Sequence, residues 1–428
     1  MSASDDWMRG VRTTRRSVLA AGLGAALPLA RAAASRQLTV AAFPLVDEIV
    51  RSAIPAWNKR HPDVEIVVAS RQYADHHTAM TTALSTSVYL PDVMALEASF
   101  VGRFAQGGGL QDLLQPPCEI GRYRDRYVAY AYDQAISRRG QMVAAPTDIG
   151  PGTLLYRQDL LKRAGVTEAE LTPSWDAYVA AGAKIKAATG ARLISNAQML
   201  KDILIRRGLK PGEGLYYDSE SRVTVQSPRF QRAFDLARRV RQGGLDTQVE
   251  TWSNAWAEGF KRGDVATELG GAWMVGQLSN WVAPNTTGLW RAAQLPEDTY
   301  VNYGGTYYAI PRQSAPENKT LAWELIQMLT LDRERQLSAL KTEDAFPALL
   351  AAQDDVFFDE PLPFLGGQPA RRLWRDAARR ITATATHKQG LFAEEVINTE
   401  LDLVMDHGKD IPHALADAAA LLERRAHR

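Results

Sequence analysis

The chain has 428 residues, 46% of them hydrophobic and 23% charged, which excludes a disordered or fibrous protein and is enough for a sizeable core in more than one domain. Lys and Arg total 50 against 49 Asp and Glu, so there is no basic excess of the kind that phosphate-backbone binding needs, and nucleic acid is excluded as the main partner. The one cysteine, Cys118, excludes an intrachain disulfide, a cysteine-built zinc site and an iron–sulfur cluster.

At the N-terminus a positive segment precedes an apolar run from Val18 to Leu29, too short to span a bilayer. Small residues at Ala30/Ala32 or Ala32/Ala34 then offer a cleavage point. Thr14-Arg15-Arg16-Ser17-Val18-Leu19 resembles a twin-arginine export signal. Residues 1–34 are therefore expected to be a removable leader. No cysteine stands at the cleavage point, so the product is expected to be periplasmic and not lipid-anchored.

Strands and helices then alternate. Gln37–Phe43 reads as a strand, and Asp47–Arg60 as a helix with Ile49, Ile54 and Trp57 on its apolar face. Val64–Ala69 is β-branched and strand-like, 76–87 is helical, residues 91–96 form a buried strand and Phe100–Gln106 a short helix before the glycines 107–109. This β-α-β-α-β order predicts parallel strands joined by crossovers. Farther on, Ser174 caps a helix over 174–188, and Ser227-Pro228 opens another through Phe230, Phe234, Leu236 and Val240. Trp252, Trp256 and Phe260 recur at helical spacing, Gly304–Pro311 reads as a strand, Thr320–Leu331 as a helix, and the last 60 residues are helical in pattern.

Catalytic signatures are missing: there is no Gly-x-Ser-x-Gly, no His-Glu-x-x-His and no phosphate loop. His76-His77 are neighbours, and successive helical residues point in different directions, which does not suit one metal. The chain is expected to use no metal and no cofactor. Ten Trp and fourteen Tyr stand out, several beside glycine: Gly270-Gly271-Ala272-Trp273 and Gly304-Gly305-Thr306-Tyr307-Tyr308. An aromatic face can lie on the C–H face of a pyranose, and an adjacent glycine lets the backbone come close. Trp273 is the better stacking candidate, while Trp256, mid-stripe on its helix, is read as core.

Five pieces in order carry a family resemblance: the strand and the helix ending Trp57-Asn58-Lys59-Arg60-His61-Pro62-Asp63; Pro91-Asp92-Val93 with Gly109-Leu110-Gln111-Asp112-Leu113; Leu155-Tyr156-Arg157-Gln158-Asp159-Leu160 with Ala164-Gly165 and Pro173-Ser174-Trp175-Asp176; Phe260-Lys261-Arg262-Gly263-Asp264-Val265-Ala266-Thr267 with Gly271-Ala272-Trp273; and Gly304-Gly305 with Ala309-Ile310-Pro311. Over residues 37–428 the chain resembles extracellular solute-binding protein family 1, the maltose-binding-protein-like sugar-binding components of ABC importers. Arg157 stands where that pattern usually has Asn, Thr267 where it has Met, and Ser99 where some members have Asp.

The resemblance implies an α/β, two-lobe periplasmic binding protein fold of type II, each lobe a parallel-rich sheet flanked by helices, with a hinge between. The lobes would be residues 37–145 plus 306–345 and 146–305 plus 346–428, with crossings near 145–151, 300–308 and Phe346-Pro347. The loops after the three first strands should face the cleft, which selects Asp47, Tyr73, Glu97 and Ser99. The crossings add Asp148 and Gly150, then Gly304, Gly305 and Tyr307. Trp252, Trp273 and Trp374 are the expected rings, and Gly367, Gln368 and Arg371 lie in the loop and helix of Trp374. The implied function is a monomeric, non-catalytic capture of a small carbohydrate, delivered to the membrane permease subunits of an ABC transporter. A polyol phosphate held by Arg71 or Arg371, a ferric ion held at Tyr216-Tyr217, and a secreted glycoside hydrolase are the alternatives.

Overall fold

The computed structural model describes residues 36–106, 108–385 and 387–426; the expected leader, its cleavage point and Gly107 lie outside them. The first elements follow the expected order: β1 (Arg36–Ala42), α1 (Val46–Arg60), β2 (Val64–Ser70), α2 (Tyr73–Thr86), β3 (Val93–Glu97) and α3 (Ala98–Gln106). α1 buries Ile49, Val50, Ala53 and Trp57, and the Trp57 indole N–H donates to the Val64 carbonyl at 3.1 Å, tying the helix end to β2. β3 is apolar on both faces, as a strand covered by helices must be: Val93, Met94, Ala95 and Leu96 are fully buried. Asp92 just before it is structural, accepting from the Thr39 N–H and from the Asn318 amide, each at 2.8 Å.

β1 pairs in parallel with both β2 and β3. The sheet continues antiparallel through β7 (Asn302–Ala309) and β4 (Ala145–Arg157), giving the order β2-β1-β3-β7-β4-β5, with β5 at Thr267–Gly271 and β6 (Trp290–Ala293) also on β4. β4 spans both halves of the sheet. Ala145–Pro151 pairs with β7, and Gly152–Arg157 lies between β5 and β6. The Ile149 N–H donates to the Phe346 carbonyl at 2.8 Å, so the three expected crossing segments lie side by side. Side chains alternate across β4 as the pleat requires: Leu155 belongs to one hydrophobic core, and Leu154 and Tyr156 to the other.

Two expectations are corrected. Beyond β4 the named strands pair antiparallel, and among the described residues parallel pairing is confined to single bridges, Arg192 with Val265, Ile194 with Asp246 and Gly214 with Ala385. The segments of that half are too short to extend a parallel ladder. The helix expected to carry three aromatics spans Asn254–Arg262, because the Ser253 side chain caps it by accepting from the Trp256 N–H. Trp256 and Phe260 are core, while Trp252 lies before the cap, 56% exposed. The helix Trp175–Thr189 does begin at Ser174, whose side chain accepts from the Ala177 N–H, and Pro228 does open the next long helix, Pro228–Gln242.

Candidate functional site

A cavity of about 770 Å³ opens where the C-terminal ends of β1, β2 and β3 meet the crossing strands. One wall comes from the turns after the parallel strands: Phe43–Val46 after β1, Gln72 and Tyr73 after β2, Glu97 and Ser99 after β3. The floor is Asp148 of β4 and Tyr303–Thr306 of β7, and the facing wall holds Trp252, Trp273, Asp202, Arg206 and Glu394. Glu343, Asp344 and Ala345 close one side.

Trp273 is held edge-on in a slot without side chains. Its indole N–H donates to the Tyr303 carbonyl at 2.8 Å, and a Cβ on Gly271 would collide with the ring nitrogen and lie 2.7 Å from that carbonyl oxygen. Gly304, at φ +90°, takes a backbone conformation that L side chains rarely adopt. Trp252 stacks beside Trp273 at 6.1 Å between centroids and 21° between planes, and Tyr303 lies at 6.4 Å and 29° on the same indole. Trp252 has φ +70° and Leu45 on the opposite wall φ +74°. Bulky residues in that region carry strain of about 1–3 kcal/mol each, held by the surrounding structure and characteristic of binding sites.

The polar groups are built as carefully. Tyr73 Oη donates to Glu97 Oε2 at 3.3 Å, the Ser99 N–H donates to the same oxygen at 2.9 Å, and the Ser99 hydroxyl also contacts it. His77 positions both partners. Its Nε2 accepts from the Glu97 N–H at 3.1 Å, so the ring proton sits on Nδ1 and donates to the Tyr73 carbonyl at 2.8 Å. The ring stacks on Phe100 at 3.9 Å, and burial lowers its pKa to about 4, so it is a neutral strut. His76 hydrogen-bonds the Ala95 carbonyl at 2.7 Å. Among the described residues no group of three His, Cys, Asp or Glu could hold a metal ion.

Burial raises the Glu97 carboxyl and pushes Asp148 up to about 6, with the Glu97 charge adding to the latter. Burial likewise takes Asp344 to about 6, Glu343 adding and Arg371 opposing. Burial disfavours the Arg206 charge, but Asp202, Tyr216 and Glu394 more than offset it and hold the guanidinium charged. Flat rings beside fixed acceptors and one fixed cation can bind a small molecule that has apolar faces and many hydroxyls.

Residues 52–362 match the family described as bacterial extracellular solute-binding protein. The chain belongs to that family. This solute-binding protein is 24% identical over 403 residues to a lactose-binding protein of Rhizobium radiobacter, covering 90% of this chain and 91% of that one. Among solved structures it is similar to an extracellular solute-binding protein of family 1, with TM-score 0.79, 24% identity and coverage of 92% and 100%. It is also similar to the sugar-binding protein MalE of Xanthomonas citri, with TM-score 0.75, 20% identity and coverage of 91% and 97%. The fold is that of the type II periplasmic binding proteins. No described helix of the solute-binding protein is long and apolar enough to cross a membrane.

Of the expected ligand residues, Tyr73, Glu97, Ser99, Asp148, Trp252, Trp273, Gly304 and Gly305 line the cavity of the solute-binding protein. The others do not, each for a physical reason. Asp47 is buried in the first turn of α1 and accepts from the Glu48 N–H. Gly150 lies under the floor, where a Cβ would collide with the Tyr303 carbonyl. Tyr307 follows the cavity-lining Thr306 on β7, so it points to the opposite face, and its hydroxyl donates to the Ala131 carbonyl at 3.0 Å. Gln368 clamps the β6 backbone, accepting from the Ala292 N–H at 2.8 Å and donating to its carbonyl at 2.7 Å, with Gly367 in the turn before it at φ +87°. Arg371 lies 3.9 Å over the Phe357 ring and donates to the Phe357 and Glu360 carbonyls. Trp374 is 4% exposed, and its N–H donates to Thr153 Oγ1 at 3.0 Å.

Sequence reasoning missed Asp202, Arg206, Tyr303, Glu343, Asp344 and Glu394. Tyr303 directly precedes Gly304-Gly305 and could have been found by the same glycine-context rule as Trp273. Asp344 precedes the Phe346-Pro347 crossing. Nothing local marks Arg206 or Glu394, which meet only through the fold.

Proposed function

We propose that this protein captures a sugar in the cavity and presents it to the permease subunits of an ABC importer. The observation that carries the reading is Trp273, gripped by its edge and only partly buried, lining the cavity beside Trp252 together with the Tyr73–Glu97–Ser99 cluster. A pyranose has two apolar C–H faces and a rim of hydroxyls, and this set of groups matches both. The lactose-binding relative and the sugar-binding MalE neighbour support it.

In this reading the lobes are 37–145 plus 306–345 and 146–305 plus 346–428. The strands β4 and β7 with Phe346-Pro347 form the hinge, and a ligand that touches both walls shifts the equilibrium to the closed form by its affinity difference between the two states. The chain acts as a monomer in the periplasm, exported by the twin-arginine route without a lipid anchor, and carries out no bond-breaking step. A phosphate ester is disfavoured, because Arg371 is turned into the protein and six carboxylates line the cavity against Arg206.

A thermal-shift screen over mono- and disaccharides tests the function. One sugar is expected to raise the melting point in a concentration-dependent way and to be recovered intact by chromatography. No shift with any sugar, or recovery of cleaved products, overturns it. Native mass spectrometry of the purified protein separates sugar, phosphate ester and metal as cargo.

A further inference from the structure

Two hairpins meet beside the cavity, and one side chain joins their tips. In the first, Ile136 bridges Met142, and the Ser137 N–H donates to the Gln141 carbonyl at 2.8 Å. The Ser137 hydroxyl oxygen also accepts from the Arg139 and Gln141 N–H groups, each at 3.3 Å. In the second, Tyr217 bridges Val223, and Asp218 Oδ1 accepts from the Glu220 and Arg222 N–H groups, each at 2.9 Å. Both turns are thus stiffened by their own hydrogen bonds. Arg138, on the first tip, donates through Nη1 to Ser221 Oγ at 2.6 Å and through Nη2 to the Asp218 carbonyl.

The hairpins are rooted in different cores. Ile136 and Met142 pack with the core that holds β1 and β3, whereas Tyr217 and Val223 pack with the other. They also fall on opposite sides of the lobe division above. Some side-chain bonds across that division end on the crossing strands: Tyr130 Oη donates to Asn302 Oδ1 at 3.0 Å, and Gln336 Nε2 donates to Thr147 Oγ1 at 3.1 Å. A hinge that turns on those strands can keep such bonds. The Arg138 bonds run from tip to tip, between residues 83 and 80 apart in the chain, and a rotation of one core against the other breaks them.

The joint lies at one end of the solute cavity. Ser221 Oγ is 3.3 Å from His387 Nε2, and the His387 ring stacks on Tyr217 at 3.9 Å. Tyr217 and His387 line a smaller cavity of about 100 Å³, which shares Glu97, Arg206 and Glu394 with the larger one. Arg138 itself lines neither cavity, so it can act on a solute only through the lobes.

We propose that Arg138 and the 218–222 turn form a clasp made only when the lobes are closed, so that Arg138 sets how long the solute is held without touching it. A contact present in one state alone shifts the equilibrium toward that state by its own free energy. This rests on the lobes and hinge of the reading above, and gives closure a component that does not depend on the cargo.

The test starts from the unliganded mature protein and needs no sugar. Solution X-ray scattering compares wild type with Arg138→Ala, Arg138→Lys and Ser221→Asp. Arg138 is exposed, so its replacement leaves both cores intact and the melting point close to wild type. Arg138→Ala is expected to enlarge the radius of gyration, and Arg138→Lys, which keeps a cation within reach of Ser221, to restore part of the difference. Ser221→Asp sets a carboxylate opposite the guanidinium at φ +65°, a conformation Asp tolerates, and should give a radius no larger than wild type. Stopped-flow release of lactose is then expected to be about threefold to tenfold faster from Arg138→Ala and slower from Ser221→Asp. An unchanged radius in Arg138→Ala, or a shift of the same sign in Arg138→Ala and Ser221→Asp, overturns the clasp. Equal release rates from all four proteins overturn its hold on the solute. Lactose bound by none of them, with the scattering difference present, counts against that sugar and upholds the clasp.

Discussion

Trp273 and Trp374 occupy opposite kinds of environment. Both spend the indole N–H on the protein, Trp273 on the Tyr303 carbonyl and Trp374 on Thr153 Oγ1. Around Trp374 every face is covered: the ring is 4% exposed, and Phe346 meets it edge-on at 6.4 Å. Around Trp273 the neighbours are glycine backbone, a strained and exposed Trp252, and carboxylates short of partners. A ring becomes available to a ligand when its polar edge is satisfied internally while its face is left open. Such a site keeps strain and unmet polar groups that a core position has already resolved.

Four changes break or sharpen that contrast. The largest is Trp374→Ala, expected to destabilise by about 3–5 kcal/mol through the cavity it leaves, read in urea melts, with the sugar affinity of the folded fraction unchanged. A tenfold loss of affinity would erase the distinction between the two rings.

Next is the pH dependence of the cavity wall. Asp344, at about 6 when folded, holds its proton more tightly in the native state than when unfolded, so its contribution to stability is present at pH 4 and lost as the pH rises through 6. Asp344→Asn should therefore gain on wild type over that window by on the order of 2 kcal/mol. His77, at about 4 when folded, acts in the opposite sense and is common to both proteins. Parallel curves would mean that Asp344 is not held protonated.

Trp273→Ala should cost about 2 kcal/mol of sugar binding, a loss of roughly thirtyfold, with no more than about 1 kcal/mol of unliganded stability. The reverse pattern would make it a second core ring. Smallest is Trp252→Gly, which relieves the positive φ and should gain about 1 kcal/mol in stability while weakening binding severalfold; a loss of stability would show that the exposed ring packs more than it strains.

Much of this contrast could be read without the fold. The glycines at 270–271 pointed to Trp273, and the ends of three buried strands pointed to Tyr73, Glu97 and Ser99. Trp374 misled because its neighbouring glycines, Gly366 and Gly367, form a turn whose Gln368 clamps β6, so the glycine context there serves a backbone clamp. Tyr307 misled by one residue: alternation along β7 puts Thr306 in the cavity and Tyr307 in the core.

Local chemistry was therefore sufficient for the alternation of strands and helices, the caps at Ser174 and Pro228, and the strand ends that face the cleft, because period, propensity and the exit of loops from parallel strands act over a few residues. The antiparallel second half, the Arg206–Asp202–Glu394 group, and the choice between an open and a covered indole emerged only once the chain was folded. β4 with β5 and β6, Arg206 with Glu394, and Trp374 with Thr153 join segments more than a hundred residues apart, and core packing brings them together, whereas only Asp202, one helical turn before Arg206, is a local partner.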